Sequence, residues 1–228
     1  MIATLGIAAA AGILLGLSTP RILRALPEPA DPSDGRVGPD ETGEPKIPYA
    51  SLATPGFAVI VGGLAVFTST TAGLLLPLAA LPVWVSLSTV GLLLAAIDAR
   101  TTWLPLPLTR VAWLATAVML ALGGLLGSWA DTLRGIGGFL LAGALFGLVW
   151  WLTRGGFGFG DVRYAPLVGA ATASVSWSLL AWALMLGSLV GAVLGLVRLA
   201  IGKRGPFAYA PAILAGGYLA LLARWLLS

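Results

Sequence analysis

The chain has 228 residues, 58% of them hydrophobic and only 10% charged, with a mean hydropathy of +0.97 and a net charge of +4. That balance excludes an ordinary soluble domain and points to a chain that threads a bilayer several times. Cysteine and histidine are both absent, which removes disulfides, thiolate and imidazole metal sites, and Cys- or His-based catalysis.

In chain order, the first apolar run (2–23) carries its basic residues, Arg21 and Arg24, at its end. A signal peptide carries them at its start, so this run reads as a retained helix with its N-terminus outside. Residues 25–52 are rich in Pro, Gly and acids and read as a flexible cytoplasmic loop within a single membrane-embedded domain, 1–228. The acids Glu28, Asp31, Asp34, Asp40, Glu41 and Glu44 are expected there as solvated charge. Further apolar runs follow at 55–73, 77–97, 105–127, 135–153, 162–175, 178–199 and 207–227. About 20 apolar residues at 1.5 Å rise cross a hydrocarbon core of roughly 30 Å. The expected fold is therefore all-α: a polytopic membrane helix bundle of about eight transmembrane helices. The 162–175 run is short, and its glycine-rich lead-in is expected to dip into the membrane.

This threading puts eleven of the thirteen basic residues on the cytoplasmic side, leaving Arg134 and Arg224 outside. A multi-pass protein of the cell's inner or plasma membrane is the expected location. No basic stripe or base-stacking surface is present, so the bilayer is an expected partner and nucleic acid is not. No repeat of 20–50 residues stands out, which argues against solenoids and inverted-repeat transporters.

Of nine carboxylates, Asp131 lies in a short outer connection near Arg134 and reads as a helix cap or surface pair. Asp98, in "IDARTTWLP", and Asp161, in "GFGFGDVRYAP", belong to the membrane part and map to the inner ends of their spans. Each could simply pair with Arg100, Arg154 or Arg163. An ionisable side chain at membrane depth nevertheless marks function by default. Two carboxylates that converge cannot both ionise easily, so the pair holds one proton between them. The ionised member can then activate a water while the protonated member donates to a carbonyl. That is aspartyl-protease chemistry, and it needs no metal or cofactor. A serine or metal-dependent membrane protease would need His, and a Ser/Lys dyad would have to use Lys46 or Lys203, both in loops.

Gly156, Gly158 and Gly160 precede Asp161. Lacking Cβ, they permit positive φ and the close approach of an extended substrate strand.

With these residues in place, the chain resembles the type IV prepilin peptidases, a bacterial family of GxGD aspartyl membrane proteases. "GFGFGDVRYAPLVGA" (Gly156 to Ala170) resembles the family's second aspartate motif, and "IDARTTWLPLPLT" (Ile97 to Thr109) the first. "GPFAYAPAILAGG" (Gly205 to Gly217) is similar to the start of the family's last helix. The resemblance implies an aspartic-type endopeptidase, with Asp98 and Asp161 catalytic and Gly158, Gly160 and Arg163 binding substrate. It would remove the leader peptide of prepilins or pseudopilins at the cytoplasmic face, serving type IV pili or protein secretion. Longer family members carry a cysteine-rich insertion after helix one and methylate the new N-terminus. The interval here is short and Cys-free, so the zinc module is missing and methylation is not implied.

Two other classes remain open. One is a small transporter or proton or cation relay built on the same two aspartates. The other is a non-catalytic membrane protein of pilus assembly.

Overall fold

The computed structural model describes residues 2–28, 47–154, 158–202 and 207–227. Among them the chain is all-helical, running as eight rods. These are α1 (Ile2–Ala25), α2 (Pro55–Leu75), a composite third rod, α5 (Leu106–Leu126), α6 (Trp129–Leu152), α7 (Phe159–Val175), α8 (Trp177–Ala200) and α9 (Ala210–Leu226). The third rod enters through a 3-10 turn at Leu78–Ala80, continues as α3 (Leu81–Ser86), passes a π turn at Leu87–Gly91 and ends as α4 (Leu92–Thr101).

Six rods are long and apolar enough to cross a membrane, while α7 and α9 have 17 residues each. Large apolar side chains such as Leu14, Leu17, Val59, Leu125 and Leu196 stand exposed on the outer surface. Water would not tolerate so much exposed apolar area, whereas acyl chains match it. Exposed tryptophans mark both ends, with Trp129, Trp177 and Trp225 at one and Trp151 at the other. Such rings favour the headgroup level. The protein is a multi-pass membrane protein.

Lipid tails supply no hydrophobic drive between helices, so association depends on close backbone packing. Glycines provide it in three hairpins. In α1–α2 a Cβ built on Gly62 would stand 3.0 Å from the Gly16 Cα. In α6–α7 a Cβ on Gly138 would overlap Ala173 and the Gly169 carbonyl. In α8–α9 a Cβ on Gly216 would meet the Gly187 backbone. The third rod and α7 occupy the middle, and α7 is buried without interruption from Tyr164 to Ser174. This central position explains why α7 can be short: protein, not lipid, surrounds it.

Several boundaries differ from the sequence reading: the third rod runs to Thr101, not 97, and α9 starts at Ala210, not 207. Helix α6 starts at Trp129, not 135, because the Ser128 hydroxyl accepts from Ala130 N as an N-cap. Asp131 therefore lies in the first turn of α6, where a negative charge suits the helix dipole, and it pairs with Arg134 at 2.6 Å. Arg134 also donates to the Ser174 carbonyl at 3.2 Å, capping the far end of α7. Helix α7 starts at Phe159, not 162, so Gly160 and Asp161 are its first turn rather than a lead-in loop.

Within the 25–52 loop, residues 29–46 lie outside the described residues, and with them five of its six acids. Glu28 is not a free solvated charge. Its carboxylate accepts from Tyr49 N at 2.7 Å and Ala50 N at 2.9 Å, capping a 3-10 turn at Tyr49–Leu52. The two ends of the loop are thus fastened together.

Candidate active site

Asp98 sits in the last turn of α4. That helix stops because Thr102 adopts a left-handed conformation (φ 57°), with its amide donating to the Asp98 carbonyl at 2.7 Å. The Thr101 hydroxyl donates to the Ile97 carbonyl at 2.9 Å and accepts from Trp103 N at 3.2 Å, which tightens the turn leading into α5. Asp161 sits in the first turn of α7, behind the extended N-cap Gly158. One aspartate ends a helix and the other begins one, so both come to the same end of the bundle.

Both carboxylates are buried, with Asp98 4% and Asp161 7% exposed. Asp161 lies within reach of the charge of Asp98. Among the described residues neither forms an ion pair, and the salt bridge present is Asp131–Arg134 at the opposite end. Pairing of Asp98 or Asp161 with Arg100, Arg154 or Arg163 is therefore not what the structure contains. Asp98 Oδ2 instead accepts the backbone amide of Ala210, the first residue of α9, at 3.1 Å. The opening of α9 thus reaches Asp98 directly.

Tyr49 completes the surroundings from the loop side. It is 3% exposed, and its hydroxyl is pushed up to about 12 by burial, then by the nearby charges of Glu28 and Asp98. It stays a neutral hydroxyl at any working pH. Sequence reading missed both Tyr49 and the Ala210 amide. A tyrosine directly after an acidic loop carries no motif, and a backbone donor has no side chain to notice.

The glycines act through space rather than through unusual backbone angles. Gly158 has φ −61° and ψ 127°, and Gly160 is helical, so neither uses positive φ. A Cβ on Gly158 would stand 3.0 Å from Asp161 Oδ2, and one on Gly160 would stand 3.1 Å from Leu104 Cδ1. Their absence of side chains clears the flank of Asp161 and admits the α4–α5 turn. Gly156, Lys46 and Lys203 lie outside the described residues. Arg163 is half-buried, with its guanidinium 4.6 Å from the centre of the Phe159 ring and its carbonyl accepting from Trp113 Nε1 at 2.9 Å. It flanks Asp161 without neutralising it.

No family model, curated protein or solved structure matches the chain. The functional reading rests on these residues alone. Among the described residues no group of His, Cys, Asp and Glu could hold a metal ion. A cavity of about 310 Å³ exists at the opposite end, between Leu76, Met119, Asp131 and Arg224, and neither Asp98 nor Asp161 lines it.

Proposed function

We propose that the protein is a membrane aspartyl endopeptidase, which removes the leader peptide from type IV prepilin-like proteins at the cytoplasmic face of the inner or plasma membrane. The observation that carries this reading is a pair of buried carboxylates brought to the same end of the bundle by two helices, neither in an ion pair among the described residues. A purely structural aspartate at this depth would be neutralised by an arginine, and three arginines are close by in sequence. Two buried carboxylates without a cationic partner at one end of a bundle are unfavourable for folding, and such a cost is retained where chemistry uses it.

In this reading the pair holds one proton. The ionised carboxylate takes a proton from water as the water oxygen bonds to the scissile carbonyl carbon, and the protonated carboxylate donates to the carbonyl oxygen. Collapse of the tetrahedral intermediate breaks the C–N bond, with a proton passing to the leaving amine. The Ala210 amide fixes one carboxylate, and the cleared flank at Gly158 and Gly160, beside Arg163, is where an extended peptide would lie.

The test is direct. Purified protein in detergent is incubated with a leader-bearing prepilin, and the product is followed by mass spectrometry. A single cut just before the hydrophobic mature helix supports the reading. No cut, together with proton or cation flux in proteoliposomes, favours a relay instead.

A further inference from the structure

Two buried tyrosines, neither part of the proposed chemistry, converge on one irregular turn. Tyr164 is fully buried on α7, and its hydroxyl donates to the Gly91 carbonyl at 3.0 Å. Gly91 closes the π turn Leu87–Gly91 of the third rod. Tyr218, on α9, shares a hydrogen bond with Ser88 of the same turn, and its ring meets Trp84 edge-on at 5.3 Å between centroids. The three helices involved are those that deliver the site: Asp98 follows Gly91 by two helical turns, Asp161 precedes Tyr164 by one, and Ala210 opens α9.

A π turn holds one residue more than the α-helix around it. If that residue were taken up into regular α-helix, everything beyond the turn would rotate by about 100° and move by about 1.5 Å along the axis. The segment beyond the turn is α4, which carries Asp98. Such a slip would swing the carboxylate away from Asp161 and from the Ala210 amide. A tyrosine hydroxyl in an apolar interior is strongly held to its acceptor, since an unmade hydrogen bond there has no water to replace it.

We propose that Tyr164 is a positioning residue: its hydrogen bond to Gly91 pins the π turn and so sets the register of α4 against α7, and with it the spacing of Asp98 and Asp161. Tyr218 pins the same turn from α9 through Ser88. The catalytic consequence rests on the peptidase reading, and the positional one does not.

Tyr164→Phe keeps the ring and removes only the hydroxyl. The chain has no native cysteine, so Ala99→Cys on α4 and Phe159→Cys on α7, both exposed, accept spin labels cleanly. With native Tyr164, one narrow distance distribution is expected. With Tyr164→Phe, a displaced or second population is expected, and an unchanged distribution overturns the proposal whether or not the protein cleaves. In a cleaving protein, Tyr164→Phe should lower kcat about tenfold and leave KM unchanged, because position rather than substrate contact is lost. Equal kcat overturns the catalytic role. If the wild type cuts no prepilin, the functional reading falls and the distance measurement still decides the positional one. Should Tyr164→Phe fail to reach the membrane, Tyr218→Phe removes the other hydroxyl from the same turn and carries the same test.

Discussion

The backbone amide of Ala210 donates to Asp98 Oδ2 at 3.1 Å, joining residues 112 positions apart. The carboxylate meets the first turn of α9 as a side-chain N-cap would, but from a different helix. It satisfies an amide that the start of a helix leaves without an intrahelical partner. This contact ties the last helix of the bundle to the end of the third rod, beside the first turn of α7.

Asp98→Asn and Asp161→Asn should each abolish cleavage, lowering kcat at least about a hundredfold, the range expected for loss of a positioned acid or base. Asn at 98 can still accept from Ala210, so folding should survive, and a melting temperature within a few degrees of wild type checks this. Asp98→Glu should also be nearly inactive. The added methylene cannot keep the Ala210 bond and the original carboxylate position together. Full processing by either Asn variant excludes the proposed mechanism.

The existence of eight helices was legible from apolar run length alone, and both aspartates were legible because charge is scarce in such runs. Details set by one residue's local chemistry were not. The Ser128 cap moved the start of α6 by six residues, and the extended Gly158 brought Asp161 into a helix. The π turn at Leu87–Gly91 lies in a run of apolar and small residues where no composition signal distinguishes it from α-helix. The Glu28 clamp was hidden because an acid in an acidic loop looks like all the others.

Gly160→Val should lower cleavage about tenfold by pushing against Leu104, whose Cδ1 stands 3.1 Å from a built Cβ. The turn at Leu104 follows directly from the helix end that holds Asp98, so the displacement is felt at the site. Pairing the change with Leu104→Ala frees that space and should recover part of the activity. A double variant no better than Gly160→Val alone would show that the glycine serves substrate approach instead.

Helix pairing through glycine makes a stability prediction independent of function. Gly138→Val should destabilise the protein by about 1–3 kcal/mol, because its Cβ would overlap Ala173 and the Gly169 carbonyl and drive α6 from α7. Gly63→Val, where a Cβ meets nothing within 4 Å, should leave thermal unfolding in detergent unchanged. Equal melting temperatures for the two variants would contradict the close packing of the α6–α7 hairpin.

Removing residues 29–44 should leave cleavage intact, since Glu28, Tyr49 and both aspartates remain. Glu28→Ala should be worse than the deletion. It releases the amides of Tyr49 and Ala50 and loosens the hydroxyl beside Asp98, with a several-fold loss of kcat expected from one charge-assisted contact. If the deletion is inactive at normal protein levels and Glu28→Ala is not, the loop itself docks substrate.

The shared end of the two carboxylates sets a topological requirement, because one water must reach both. The α4–α5 turn and the segment after α6 should open to the cytoplasm, and the α5–α6 turn should open to the other side. Thr101 is buried beneath its own turn, so Arg100→Cys, which is exposed, is the better probe of the first segment. Thr153→Cys and Ala130→Cys, also exposed, report the other two. A membrane-impermeant thiol reagent should label positions 100 and 153 only when the cytoplasmic face is open, and position 130 from outside in intact cells. Labelling of 100 and 153 from opposite sides would place Asp98 and Asp161 in different compartments. No shared proton could then exist, and neither the peptidase nor the arrangement of α4 beside the start of α7 would stand.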